Sequence, residues 1–353
     1  MRIQNNKTRV GNRPYIKFLH DCLLVNKILV IGDLHIGYDE QIDGRAVFPK
    51  LQLGEIIEKL NGVFSFLKKQ KIVVEKIVLL GDVKHDFGTI TDVEWRETLE
   101  FFDYLKEKLE DTTKISNLII KKGVNKEVLY KNQLFVNGSK IDNKNDKNKL
   151  KDKIIVIRGN HDNILKPISR KAGFKLVDYY CIKINGRKIC FLHGNKLFKQ
   201  CLDSPTNKDR DILVFGHLHP AITLYDKYKS EKYKCFLKGD WKISGKRKIG
   251  YVLPSFSNIS FGYDLKDIDN LSNIDRIDRG RSIFTLSDRI KSKIKLVNKF
   301  ELIKKSSGGF YKIKKNKNKF FVVPTKTLKN FEVIIYNDKE DKEYNFGRLK
   351  GLI

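Results

Sequence analysis

Five short apolar runs, each closed by residues that can bind a metal, constrain this chain more than any other feature. They are Ile28–Ile31, Ile77–Leu80, Ile154–Ile157, Ile189–Leu192 and Ile212–Phe215. Each lacks polar alternation, the pattern of strands covered on both faces. After them come Gly32-Asp33-Leu34-His35, Gly81-Asp82-Val83-Lys84-His85, Arg158-Gly159-Asn160-His161-Asp162, His193-Gly194 and Gly216-His217-Leu218-His219. Six of the seven histidines fall in these five places. Each motif alone is weak, but five matching signals in one order are not a chance pattern. His20, the exception, reads as an ordinary strand or surface histidine.

Helical patterns lie between some of the runs. Residues 51–69 carry Leu53, Ile56, Ile57, Leu60, Val63, Phe64 and Leu67 at helical spacing. Residues 91–109 read likewise, with Thr91 or Asp92 as a cap. Strands alternating with helices imply an α/β layered core. In such sheets the functional crevice lies outside the carboxyl ends of the strands, so five strands side by side would gather these residues there. If strand geometry persists, Asp33 and His35 point to one side, as do His217 and His219, and each pair can face a metal. Carboxylates, imidazoles and one Asn carbonyl suit Mn²⁺, with Fe²⁺ or Zn²⁺ as alternatives, better than Ca²⁺. Two cations about 3.5–4 Å apart would clamp the attacking and leaving oxygens at phosphorus, with Asp82 as the shared carboxylate. Lys84 and Arg158 line the site or face solvent, the latter being favoured.

Net charge is +29, mostly from lysine, which either attracts nucleic acid or reflects a compositional bias toward Lys, Ile and Asn. The core is expected over 15–264. Within it, 112–153 is a Lys/Asn-rich insertion with an Asn137-Gly138 hairpin signal. A basic insertion or small β extension follows over 265–326, where Phe284, Phe300, Phe310, Tyr311, Phe320 and Phe321 interleave with lysines. Residues 327–353 return to the core. Five cysteines without paired spacing fit reduced thiols. With no secretory pattern and no apolar stretch near ~20 residues, a cytoplasmic protein without membrane contact is expected.

The motif order resembles the calcineurin-like metallophosphoesterase superfamily, over Ile28 to His219. The resemblance implies a four-layer α/β/β/α sandwich with two mixed β-sheets, the basic segments being insertions. It implies that Asp33, His35, Asp82 and His219 hold one divalent cation and Asp82, Asn160, His193 and His217 a second. His161 would be the general acid, oriented or tuned by Asp162, and a hydroxide bridging the cations the nucleophile. Gly81-Asp82-Val83-Lys84-His85 lacks the Asp-Arg-Gly extension of protein serine/threonine phosphatases. It looks like SbcD-like nucleases, where an imidazole at the place of His85 handles the substrate. Asp33 to Asp39, residues 84–88, Gly216 to Ala221, Pro254-Ser255-Phe256 and Asn345 to Leu349 look closer still to an SbcD-related archaeal group similar to PdeM.

Three functions follow as expectations. The first is a phosphodiesterase or nuclease acting on DNA or RNA. The second is a phosphoesterase for nucleotides or cyclic nucleotides. A non-catalytic scaffold comes last, because scaffold members typically lose ligands and none is missing here. A homodimer is expected only because relatives in the nuclease branch often dimerise.

Overall fold

A computed structural model describes residues 14–38, 51–86, 88–121, 133–136, 139–140, 152–203, 211–226, 229–243, 246–270, 302–304, 310–312 and 323–353. The first three apolar runs form adjacent parallel strands, Ile28–Ile31, Lys76–Leu79 and Ile154–Ile157. Antiparallel Ile16–Leu19 and Cys22–Val25 extend one side and parallel Lys175–Val177 the other, giving six strands. The last two runs sit elsewhere. Arg187–Leu192 and Asp211–Phe215 are parallel neighbours in a nine-stranded mixed sheet. The expectation of one row is therefore corrected: the five strands divide three and two between two sheets.

Alternation of side chains lets each sheet bury two faces. Leu23, Val30, Val78 and Ile155 of the first sheet meet Tyr180, Ile189, Phe191 and Val214 of the second. The other face of the six-stranded sheet, with Leu29, Ile31, Ile77 and Val156, is covered by two long helices and the short helix Lys166–Ala172. The long ones are α1 (Leu51–Lys69) and α2 (Asp92–Lys121). Leu213, Phe215, Leu237 and Val333 on the far face of the nine-stranded sheet meet Cys201, Leu265, Ile268 and Leu328 from short helical segments. The layers run helices, sheet, sheet, short helical segments.

Helix α2 runs to Lys121, past the expected end at Leu109 and into the Lys/Asn-rich segment. Beyond it, Gln133–Val136 and Ser139–Lys140 pair as a hairpin and extend the second sheet at Tyr179–Ile184. The Asn137-Gly138 turn lies outside the described residues, as do Asp39, Phe87, Phe284, Phe300, Phe320 and Phe321. Leu302–Lys304 and Phe310–Lys312 form a two-stranded sheet within the basic segment. Strands Glu332–Asn337 and Lys342–Arg348 add to the second sheet beside Phe236–Ile243.

The reduced-thiol expectation is corrected at one pair. Cys181 and Cys190 lie directly opposite on adjacent antiparallel strands and are joined as a disulfide, while Cys22, Cys201 and Cys235 are free and buried. Among the described residues no helix is long and apolar enough to cross a membrane.

Candidate metal centre

The carboxyl ends of the five strands meet at one edge of the sandwich, and backbone bonds lock their turns together. Leu34 N–H and His35 N–H donate to the Asp82 carbonyl at 3.1 and 2.9 Å. Ile36 N–H donates to Val83, and His85 N–H returns to Ile36 at 3.0 Å. Gly216 N–H donates to the His193 carbonyl at 2.8 Å, tying the second sheet's two turns. Gly81 has φ +107°, a left-handed conformation that glycine adopts without strain, and a Cβ there would sit 2.8 Å from His193 Nδ1. Close packing at this turn brings the two sheets' motifs into contact.

His35, Asp82, His217 and His219 all have positive φ, at 50°, 49°, 66° and 47°. Such residues are uncommon and cluster where the surrounding structure over-determines them, often at functional sites. Strand geometry therefore does not persist through the motifs. His217 and His219, expected on one side, enter different groups: Asp82, His193 and His217 form one cluster, and Asp33, His35 and His219 another. In each, donor atoms lie within 4.8 Å of one another. Asp33 Oδ1, 3.3 Å from His193 Nδ1, lies between the two clusters.

Within the first cluster, His193 Nδ1–H donates to the Leu80 carbonyl at 2.9 Å. This fixes Nε2 as the inward nitrogen, 2.9 Å from Asn160 Oδ1 and 3.3 Å from Asp82 Oδ2. Burial alone would lower the His193 pKa, but Asp82 and Asp33 outweigh it and raise it to about 9. Burial would raise Asp82, yet His193 and His161 hold it well below the carboxylate range. His217 is lowered to about 3 by burial and by His193. In the other cluster, His35 is pushed well below its usual value by burial and by His161. Asp33 stays low because His219 and His193 outweigh its burial.

Two further imidazoles complete the edge. His161 Nδ1–H donates to the His85 carbonyl, leaving Nε2 3.8 Å from Asp82 Oδ2. Its ring centroid is 4.8 Å from that of His35. His85 packs edge-on against Tyr38, centroids 4.3 Å apart, and is lowered to about 3 by burial and by His161. Asp162, expected to orient or tune His161, accepts on its carboxylate from Val83 N–H at 3.0 Å and Gly159 N–H at 2.9 Å. Burial and neighbouring Asp82 push it up to about 7. It ties the Asp82 turn to the Asn160 turn. Arg158 is exposed and pairs with Asp178. Lys84 is fully buried, contrary to expectation, with Nζ donating to the Asp86 and Thr89 carbonyls.

Several supports carried no metal signature in the sequence. Gln52, from the start of α1, accepts from Gly37 N–H and Tyr38 N–H and donates to the His35 carbonyl at 2.8 Å. Ser255 Oγ and Phe256 N–H both donate to the Asp33 carbonyl. Glu94 caps α2 reciprocally with Thr91: its N–H donates to Thr91 Oγ1 at 3.0 Å, and Thr91 N–H donates to its Oε2 at 3.3 Å. The Thr91-x-x-Glu94 spacing is a capping-box signal. Glu94 Oε1 also accepts from His85 N–H at 3.1 Å and Asp86 N–H at 2.8 Å. Glu94→Ala takes this acceptor from the part-buried Asp86 N–H, removes the second acceptor of His85 N–H, which keeps Ile36, and opens the cap. The expected loss is about 1–3 kcal/mol of stability with about tenfold lower kcat/KM. Thermal melts and steady-state kinetics check both; unchanged kinetics would leave Glu94 a helix cap only.

The family model described as calcineurin-like phosphoesterase matches residues 26–325, spanning all five strand-end motifs. The chain belongs to the calcineurin-like phosphoesterase family. That membership makes it a metal-dependent hydrolase of phosphoester bonds. Among solved structures, it is similar to the crystal structure of Pseudomonas putida nuclease MPE, with 15% identity and a TM-score of 0.37 over 71% of this chain and 86% of that one. No curated protein matches the chain.

The residues present fit the family's metals. Among the described residues, the buried His35 Nδ1 has no hydrogen-bond partner, while Asp33 Oδ1 and His219 Nε2 have only ion-pair contacts, to His193 Nδ1 at 3.3 Å and to Asp33 Oδ2 at 3.4 Å. Leaving such atoms bare costs free energy that a cation would remove. A cation at Asp82, Asn160 and His193 must displace the His193 proton. Its affinity should therefore rise with pH up to about 9, by about tenfold per unit at most. The apoprotein runs the other way. A raised histidine pKa contributes stability that is fully present below the unfolded value and is lost as pH rises through about 9. Calorimetric Mn²⁺ titrations in buffers of different ionisation heat should show proton release at pH 7; absence of release would contradict a protonated His193.

Proposed function

We propose that this calcineurin-like phosphoesterase is a phosphodiesterase that hydrolyses DNA or RNA, of the SbcD-related, PdeM-like kind. The observation that carries this reading is the His85–His161 pair standing beside two donor clusters at one edge of the sandwich. Asp33, His35, His219 and Asp82 would hold one divalent cation, Mn²⁺ first among candidates. Asp82, Asn160, His193 and His217 would hold a second. When bound, the cations would supply an acidified water and neutralise charge growing on the phosphoryl oxygens.

The chain's own groups do the rest. His161, with Nδ1–H committed to the His85 carbonyl, presents Nε2 to the site and delivers a proton from that atom to the departing oxygen. His85, held neutral by burial and by His161, hydrogen-bonds the phosphate without adding charge. Asp162, through Val83 and Gly159, keeps the Asp82 and Asn160 turns in register. The net charge of +29 supports a polyanionic substrate.

A panel decides. Purified protein with Mn²⁺, Mg²⁺, Zn²⁺ or Ni²⁺ is assayed on single- and double-stranded DNA and RNA, cyclic nucleotides and phosphomonoesters. Cleavage of nucleic acid is expected with Mn²⁺. Hydrolysis of bis(p-nitrophenyl) phosphate with every nucleic acid left intact would replace this reading with a small-molecule phosphoesterase.

A further inference from the structure

Residues 258–262 border the metal centre at His219. Ser260 Oγ is 3.3 Å from His219 Nδ1. Tyr263 N–H donates to the His219 carbonyl at 2.7 Å, and a Cβ on Gly262, at φ +81°, would sit 2.3 Å from that same oxygen. The chain is thus tied to His219 on both sides of Phe261, by the Ser260 side chain before it and by the Gly262–Tyr263 backbone after it. Yet Phe261 is 67% exposed. An isolated surface phenylalanine needs no explanation. This one is held beside a candidate metal ligand, with a cation next to it: Lys232 Nζ donates to the Gly262 carbonyl at 2.7 Å. Glu231, the adjacent acid, faces the other side of the strand Ser230–Lys234, where it accepts from Tyr233 Oη.

We propose that Phe261 is the platform on which an unpaired base of the substrate stacks, with Lys232 holding a neighbouring phosphate. The inference rests on the nucleic-acid reading above and names its substrate form: a strand whose bases are unpaired next to the scissile bond. Aromatic stacking tolerates any base, because each has a π-face, while a lysine supplies the phosphate attraction.

The test compares an oligothymidylate with an abasic oligomer of equal length and charge. The wild type should prefer the base-bearing strand in kcat/KM. Phe261→Ala should shrink that preference about tenfold, mainly through KM, and Phe261→Trp should restore it. Fluorescence anisotropy of the labelled strands on protein treated with chelator should show the same order in Kd. An unchanged preference in Phe261→Ala overturns the proposal. If the wild type cleaves another nucleic acid but neither of these strands, the proposal is overturned; if it leaves every nucleic acid intact, the nucleic-acid reading falls. The platform is then judged on thymidine 5′-(p-nitrophenyl phosphate) against methyl p-nitrophenyl phosphate. A base preference lost in Phe261→Ala upholds it for nucleotides; no preference, or one that survives, overturns it.

Discussion

Gly159→Ala should abolish stable cation binding and cut hydrolysis by about 10²-fold or more, although Gly159 offers no ligand. A Cβ there would lie 2.0 Å from Asp82 Oδ1 and 2.4 Å from Asp82 N. Neither side can yield cheaply. Gly159 N–H is held by Asp162 Oδ2 at 2.9 Å. Asp82 Oδ1 accepts from His161 N–H at 2.9 Å, and the Asp82 carbonyl accepts from Leu34 and His35. Relief of the clash must move Asp82, and moving Asp82 drags the turn that carries His35. A displacement near 1 Å at a reacting centre costs about 10²-fold in rate. Overpacking of this kind also costs about 1–3 kcal/mol of stability. Metal content by elemental analysis, a melting curve and the rate on a phosphodiester measure all three. Wild-type metal content and rate in the variant would show that this contact does not hold Asp82 in place.

The side chains that gather at the sandwich edge were legible in the sequence as candidate ligands because each follows an apolar run. A strand buried on both faces leaves a continuous hydrophobic signature, and polar residues straight after it stand out. Division of the runs between two sheets was not legible from them, since a buried strand reads the same in either sheet; only the family resemblance implied two. Nor was the backbone hand at His35, Asp82, His217 and His219, which is set by tertiary contacts such as His35 N–H to the Asp82 carbonyl. Extrapolating strand alternation through the turns therefore placed His217 and His219 together, whereas the structure sends them to different clusters. Lys84 misled for a related reason. Lysine is rarely fully buried without partners, and its partners are carbonyls of its own turn, which no sequence pattern marks. Gln52 sits at the start of a helix whose periodicity is carried by apolar residues, so a polar residue facing inward there gives no signal. Glu94 did carry one, the capping-box spacing with Thr91, but the reach of its second oxygen to the His85 turn belongs to the fold alone.

His161→Asn should slow cleavage of a nucleoside phosphodiester by about 10²–10⁴-fold, the usual worth of a positioned proton donor. The same variant should slow a p-nitrophenyl diester by about tenfold or less, because that leaving group departs without a proton. Asparagine is the informative substitution. Its amide can still donate to the His85 carbonyl, the bond that His161 Nδ1 makes now, so the His85 turn keeps its partner while the proton is gone. The backbone N–H of residue 161, which donates to Asp82 Oδ1, is untouched, so metal content should stay at the wild-type level. The contrast between the two substrates is therefore the readout, and a change in metal occupancy would shift both rates together. An equal loss on both would make His161 a group that positions the site. No loss on either would remove it from the reaction, and His85, stacked on it with centroids 5.4 Å apart, would become the imidazole to test next.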